Sequence, residues 1–186
     1  MLLKTIFLSS HIFKLNNIQL YEVFAYLTHF LTATNQHGVH SPFVYDFVTK
    51  CLYSKEKHST ITSVNILLKS IAYFEVRRLM LPSNAKDLEE ITEQKFPEVQ
   101  RGESPYDMIF AEPSNLKNLE EFVLKHEKIQ NDSMVMMNSI HKSKAAELRW
   151  EQLKSNKKVT VTIDLFYCGL VFFRKEQVRE HFKIRI

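Results

Sequence analysis

Histidines are the side chains of this sequence with the clearest capacity for chemistry. His37 and His40 lie three positions apart in the stretch HGVHSPF, a spacing at which two imidazoles could ligate one metal ion. A zinc site needs four ligands, or three and a water molecule, and no further Cys, His or Asp residues converge on this pair in the sequence. The pair is therefore interpreted as capping and packing the turn between two helices, and no metal site is predicted.

A third histidine, His141, follows Asn138-Ser139-Ile140 at the predicted carboxyl end of a parallel strand. Ligands of α/β proteins bind at this end of the sheet. The sequence identifies no partner for His141, so two interpretations stay open: a pocket residue and an ordinary loop histidine. The two cysteines, Cys51 and Cys168, do not make a disulfide framework, and we expect reduced thiols and a cytoplasmic protein.

The strongest strand pattern lies in residues 159–174, VTVTIDLFYCGLVFFR. Val159, Val161 and Ile163 alternate with polar residues, which predicts a strand with one polar face. The apolar run that follows predicts its antiparallel neighbour. Gly169 is placed at the reversal between the two strands, because a tight turn favours a residue that tolerates positive φ.

Helical spacing predicts three helices before the first strand. The first begins after Asn16 or Asn17 and is expected to bury its apolar face, which consists of Leu20, Phe24, Leu27 and Leu31. Ser41-Pro42 begins the second helix, since serine suits the cap and proline the first helical position. The third helix is predicted at 63–74, strands at 76–81, 106–111, 133–138, 159–165 and 169–174, and further helices at 85–96 after a cap at Asn84, 116–128 and 142–154.

The alternation of strands and helices predicts an α/β fold with about five strands, mainly parallel, ending in an antiparallel strand pair. The chain has 186 residues, which suits one domain, predicted at 18–186 and including the N-terminal helices at 18–74. Residues 1–17 are expected to form a poorly ordered leader. Their apolar run is too short and too interrupted for a signal peptide or a membrane span, so no membrane association is expected.

Basic residues are unevenly distributed along the chain. The formal net charge is +4, and residues 133–186 carry 11 basic and 5 acidic residues. Such a region could bind nucleic acid. It has no interleaved aromatic platform, however, so the basic residues are interpreted as the solvated face of one helix and its exit, and nucleic acid is not an expected partner.

Two motifs at opposite ends of the chain resemble a known family. The stretch HGVHSPFVYDFV, residues 37–48, looks like the N-terminal signature of a bacterial group of class I S-adenosylmethionine-dependent methyltransferases. Residues 159–186 are similar to the final two strands and tail of the same group. The resemblance implies a Rossmann-like methyltransferase fold that binds S-adenosylmethionine at the carboxyl ends of its strands.

The sequence departs from that family at the positions that hold the cofactor. The first strand leads into Leu81-Pro82-Ser83-Asn84, with none of the chain's three glycines, where the family has a glycine-rich loop. Residues 83–105 leave room for one helix and a loop, so the two strands that hold the ribose and adenine in the family are predicted to be absent. The acidic positions after the next two strands align with Ala111, Asn138 and Ser139.

The sequence therefore predicts a methyltransferase-like protein that has lost S-adenosylmethionine binding and catalysis and has a structural or interaction role. Two alternatives stay open: an active methyltransferase with an atypical site, which would use this cofactor, and a binding module for an anionic partner. A homodimer is expected through the strand near Val76, which would form an exposed sheet edge unless the N-terminal helices cover it. A remnant of the cofactor cleft is expected to bring together His37, His40, Ser41, Tyr45 and His141.

Overall fold

The structure, a computed structural model, describes residues 20–102, 104–115 and 128–186. The leader predicted for residues 1–17 and nearly all of the helix predicted at 116–128 lie outside this part. The described helices are α1 (20–32), α2 (Pro42–Phe47), α3 (Thr62–Tyr73), α4 (Lys86–Lys95) and α5 (Lys144–Ser155). The strands are β1 (Arg78–Met80), β2 (Gln100–Arg101), β3 (Tyr106–Ala111), β4 (Ile129–Asn138), β5 (Val161–Asp164), β6 (Cys168–Phe172) and β7 (Glu180–Lys183).

The seven strands form one mixed sheet in the order β2-β1-β3-β4-β6-β5-β7. Strands β1 to β4 run parallel to one another, β6 runs antiparallel to both β4 and β5, and β7 runs parallel to β5. The predicted α/β class, with a mainly parallel sheet and an antiparallel pair near the C-terminus, is confirmed. The predicted count of five strands is wrong, because β2 and β7 were not expected.

The prediction that the strand near Val76 forms a sheet edge is also wrong. Strand β1 lies between β2 and β3, and the carboxylate of Asp107 accepts the backbone N–H groups of Arg77 and Arg78 at 3.0 and 2.9 Å. Residues 83–105 hold helix α4 and, in addition, the two-residue strand β2. Both residues of β2 are polar and exposed, so no apolar alternation marked the strand in the sequence. The homodimer was expected because β1 would present an unpaired sheet edge, and β1 is paired on both sides.

Helices cover the sheet on both faces, and successive residues of the central strands point to opposite sides. On one face, Met108 and Met136 pack in the same cluster as residues of α2 and α3. On the other face, Ile109 and Val135 pack with Trp150 of α5. The alternation of the two clusters along β3 and β4 places the sheet at the centre of a three-layer core.

The reversal between β5 and β6 is made by residues 165–167 and not by Gly169. Phe166 carries the positive φ of this turn, +67°, and its backbone N–H donates to the carboxylate of Asp164 at 2.9 Å. Gly169 lies inside β6, where an added Cβ would stand 2.5 Å from ring atoms of Trp150. Glycine is therefore required at position 169 by the close approach of the indole and not by a turn.

The apolar face predicted to be buried in the first helix is exposed. Leu20, Phe24, Leu27 and Leu31 are all between 49% and 80% exposed. Helix α1 contacts the rest of the chain through its opposite side, on which His29 is buried. Because hydrophobic periodicity reports only that a helix has an apolar side, it could not say whether this side faces the chain's own core or another molecule.

Two predicted helix caps have different outcomes. The Ser41 hydroxyl accepts the N–H of Val44, as expected for an N-cap before Pro42, whereas α4 begins after Ala85 with no side-chain cap and not after Asn84. Cys51 and Cys168 are free, as predicted, and both are buried. Within the described ranges, no helix is long and apolar enough to span a lipid bilayer.

Candidate functional site

A buried cluster of two histidines and one aspartate lies where β4 and β5 end. Asp164 is the last residue of β5, and His141 follows β4 after a short turn. The Asp164 Oδ2 atom lies 2.8 Å from Nε2 of His141, and its Oδ1 atom lies 3.2 Å from Nε2 of His29 on α1. All three residues are at most 7% exposed. We refer to His29, His141 and Asp164 as the His–Asp cluster.

The left-handed turn after β5 shapes this cluster. The backbone N–H of Phe166 donates to Asp164 Oδ1, which fixes the carboxylate, and the positive φ of Phe166 turns its ring back over the histidines. That ring stacks on His141 with centroids 5.4 Å apart and meets His29 edge-on at 5.7 Å. The aromatic ring therefore excludes water from one side of both imidazoles.

A second carboxylate extends the cluster outward. Glu147, in the first turn of α5, accepts a hydrogen bond from the Tyr21 hydroxyl of α1 at 2.5 Å and lies 3.2 Å from Lys144 Nζ. Its Oε1 atom lies 3.5 Å from His141 Nδ1, too far for a strong hydrogen bond. The helices α1 and α5 are thus joined to the sheet through one chain of polar contacts.

Asp164 carries the negative charge of the His–Asp cluster. Burial would raise the pKa of this carboxyl, but the hydrogen bonds from His141, His29 and the Phe166 N–H outweigh burial and hold the pKa well below its usual range. The pKa of Glu147 is also lowered, since its hydrogen bonds to Tyr21 and Lys144 outweigh its partial burial. Burial and the hydrogen bond to Glu147 raise the pKa of Tyr21 to about 12. Asp164 therefore accepts hydrogen bonds and does not donate them.

The geometry of the His–Asp cluster suits a structural role, the attachment of α1 to the sheet, better than a catalytic role. Every oxygen of Asp164 is occupied by a neighbouring imidazole or backbone group, and a general base needs a free position facing its substrate. In the parts of the chain that the structure describes, no three His, Cys, Asp or Glu residues are arranged to hold a metal ion. The His–Asp cluster holds α1 against the carboxyl end of the sheet.

The residues expected to form one remnant cleft do not come together. Ser41 donates to the side chain of Gln177, which precedes β7, while His141 contacts Asp164 at the end of the parallel neighbour β5. The two side chains therefore lie at opposite ends of the sheet, and the single cleft is wrong. His37 and His40 are exposed, and Tyr45 is 45% exposed on α2.

A groove lies at the position where the resemblance places the cofactor, beyond the end of β1. It has a volume of about 450 Å³ and is lined by Pro82, Asn84 and Ala85 of the preceding loop, the start of α4, Phe110 and Glu112. Proline supplies no N–H, and the Ala85 N–H donates to the carbonyl of Pro82 at 3.0 Å. Pro82 and Ala85 therefore offer no free backbone N–H to a ligand.

Glu112 faces this groove, although its strand neighbour Ala111 occupies the position that aligns with the acid of the family. Strand β3 ends at Ala111, so the strict alternation of a strand no longer applies at the next residue. The Glu112 carboxylate accepts a hydrogen bond from Asn138 Nδ2 at 2.9 Å.

The end of β2 carries a basic residue where the resemblance implies an acid for the ribose. Arg101 is the last residue of β2, and its guanidinium lies 3.3 Å from Glu89 of α4 and forms a second ion pair with Glu93. Glu89 and Glu93 are therefore both engaged by one cation. Among the described residues at the end of β2, this arrangement does not fit the ribose of S-adenosylmethionine.

Sequence reasoning missed His29, Asp164, Tyr21 and Glu147. Asp164 and Thr162 were interpreted as the polar face of a strand, yet both are buried. His29 and His141 contact the carboxylate of Asp164, and the Thr162 hydroxyl lies 2.8 Å from Nδ1 of His181 on β7. One signal was available: an aspartate at the end of a strand is suited to accept the backbone N–H two residues on, as in an Asx turn. Its histidine partners are 135 and 23 residues away in sequence, and no local pattern joins them.

Comparisons of the chain with protein-family models, with curated proteins and with solved structures found no match.

Proposed function

We propose that the protein is a methyltransferase-like protein that does not bind S-adenosylmethionine and that acts through interactions with other molecules. The observation that carries the proposal is the ion-paired Arg101 at the end of β2. A cofactor that needs a carboxylate for its ribose hydroxyls meets a guanidinium there, and the nearby Glu89 and Glu93 are already paired with it.

The loop after β1 supports the same conclusion. Its side chains stand where a glycine-rich loop would let the backbone approach the ligand, and one of its amides is satisfied within the loop itself. Each desolvated hydrogen bond left unmade costs about 1–3 kcal/mol, so the loss of two or three weakens binding by several orders of magnitude. Micromolar affinity would become unmeasurable.

Calorimetric titration and thermal unfolding with S-adenosylmethionine and with its demethylated product test the proposal. A ligand present at a hundredfold its dissociation constant stabilises a protein by about 2.7 kcal/mol. For a chain of this size that would raise the melting temperature by roughly 5–10 °C. We expect no saturable heat and no such rise.

Two variants locate any binding that does occur. Glu112→Gln removes the groove carboxylate, and Asp132→Asn removes an exposed carboxylate paired with Arg174 away from the groove. Micromolar binding that is weakened by Glu112→Gln and unchanged in Asp132→Asn would overturn the proposal and place the cofactor in the groove. Methyl transfer from the bound cofactor would then establish the alternative of an active methyltransferase with an atypical site.

A further inference from the structure

We propose that α1 pairs with α1 of a second copy of this chain, in a homodimer. The interface would be the apolar face of α1, defined by six large side chains that are each 48–80% exposed. These are Leu20, Val23, Phe24, Leu27, Phe30 and Leu31. An exposed contiguous apolar surface of this kind marks a site of interaction.

The spacing of these residues is that of a helix that packs on another helix. Leu20, Phe24, Leu27 and Leu31 follow intervals of four, three and four residues, which is the seam of a two-helix interface. Val23 and Phe30 widen that seam on one side. The seam runs over the whole described length of α1, so a partner helix could lie along it for almost four turns.

The other side of α1 is fixed to the chain's own sheet. His29 is held by Asp164, and the Tyr21 hydroxyl is held by Glu147. In the monomer, these contacts fix the orientation of α1 so that the seam faces solvent. A preorganised surface loses little conformational freedom on association, which favours binding.

The area of the seam is close to what a stable dimer needs. If a large side chain offers about 200 Å² and is roughly half exposed, the six residues present roughly 600 Å². A standard interface buries about 800 Å² on each partner. Neighbouring exposed residues, among them Tyr26 at 42%, bring the surface to that range.

The seam itself consists of apolar side chains and carries no charge. The acid of the first described turn, Glu22, lies on the other side of α1, where it lines a cavity together with His141 and Phe166. The core of a homodimer interface is typically apolar and depleted of charges. Two identical apolar seams can also pair about a two-fold axis, the symmetry that homodimers prefer.

A lipid surface fits the helix less well. Helices that lie on membranes carry Lys and Arg on their polar side, whereas residues 20–32 contain neither and their polar side is packed against the sheet. The inference also stands apart from the proposed loss of cofactor binding, since neither the groove nor β2 contributes to the seam.

Sedimentation equilibrium of the full chain tests the proposal. We expect a dimer for the wild-type chain and an increase of the dimer dissociation constant of at least about tenfold for Leu27→Asp and for Leu31→Asp. Leu31 is 80% exposed, so its replacement leaves the fold intact, which circular dichroism verifies. Val178→Asp is the matched control, because Val178 is 83% exposed at the other end of the sheet and should leave the dimer unchanged.

Two results would overturn the proposal. One is a monomeric wild-type chain, and its binding to vesicles of phosphatidylcholine and phosphatidylserine would then assign the face to a lipid surface. The other is a dimer that is unchanged by both aspartate variants.

Discussion

Replacement of Asp164 tests whether the His–Asp cluster fastens α1 to the sheet. Asp164→Ala removes the carboxylate that accepts from His141 and from the Phe166 N–H, and leaves both groups buried without this acceptor. His29 loses the carboxylate as well but keeps the backbone carbonyl of residue 164, which lies 3.2 Å from its Nε2 atom. Removal of one partner from a buried charged contact costs about 3–5 kcal/mol. Asp164→Asn preserves the side-chain volume and one oxygen acceptor, so it should cost less, about 1–3 kcal/mol.

The pH dependence of this loss has a defined sign. The pKa of Asp164 is depressed in the folded chain, so its contribution to the free energy of unfolding is fully present above the ordinary carboxyl pKa of about 4. As the pH falls below that value, the unfolded chain takes up a proton that the folded chain does not, and the contribution is lost. The stability difference between wild type and Asp164→Asn should therefore shrink with decreasing pH in the acid range.

Urea unfolding followed by circular dichroism, at neutral pH and at several acid pH values, measures both effects. Asp132→Asn is the control, since the Asp132 side chain is 71% exposed in its ion pair with Arg174 and should change stability little. Either of two results would refute the assigned role of Asp164. One is an Asp164→Ala variant that unfolds at the same urea concentration as wild type. The other is a stability difference between wild type and Asp164→Asn that does not change as the pH falls.

Two further replacements probe the core and a buried cation. Gly169→Ala should destabilise the chain by about 1–3 kcal/mol, because the new methyl group would stand 2.5 Å from ring carbons of Trp150. Thermal unfolding followed by indole fluorescence measures both the loss of stability and the displacement of the Trp150 ring. Lys69→Met should lower the free energy of unfolding by about 1–3 kcal/mol, measured with urea. Lys69 is 7% exposed and donates to the carbonyls of Leu52 and Ser54 at 3.2 and 2.7 Å. An unchanged unfolding midpoint would show that these carbonyls find other donors.

The fold was predictable where residue pattern and burial coincide. Strand β3 was predicted with its observed bounds, Tyr106–Ala111, and α3 was predicted within one residue, because each has an apolar pattern that faces the chain's own core. Strand β2 has only two exposed polar residues, and its place beside β1 arises from long-range pairing that no local pattern encodes. The same limit applies to the apolar face of α1, where the pattern was visible but the surface it packs against was not.

The candidate site was less predictable than the fold, since its partners are distant in sequence. His141 was recognised because it follows a parallel strand, but its role depends on Asp164 and His29, which belong to a strand and a helix far from it in the chain. Gly169 shows a related difficulty. A glycine between two apolar runs has the properties of a turn residue, and only the position of Trp150 reveals that close packing requires it.

The two motifs that carry the family resemblance contact each other, which changes what their presence implies. The Thr34 N–H donates to the carbonyl of Lys183 at 2.9 Å, and the Arg185 N–H donates to the carbonyl of Thr34 at 2.9 Å, just before the N-terminal motif begins. Within that motif Ser41 bonds to Gln177, and the Tyr53 hydroxyl, shortly after it, donates to the carbonyl of Arg185 at 2.7 Å.

These contacts explain in structural terms why the two motifs occur in the same chain, and the explanation involves no cofactor. The N-terminal segment runs along β7, the outermost strand, and satisfies backbone groups that an open sheet edge would expose. The part of the resemblance that lies in these two segments is therefore accounted for by contacts at the sheet edge. It carries no information on the loop after β1 or on the end of β2, which lie elsewhere in the sheet.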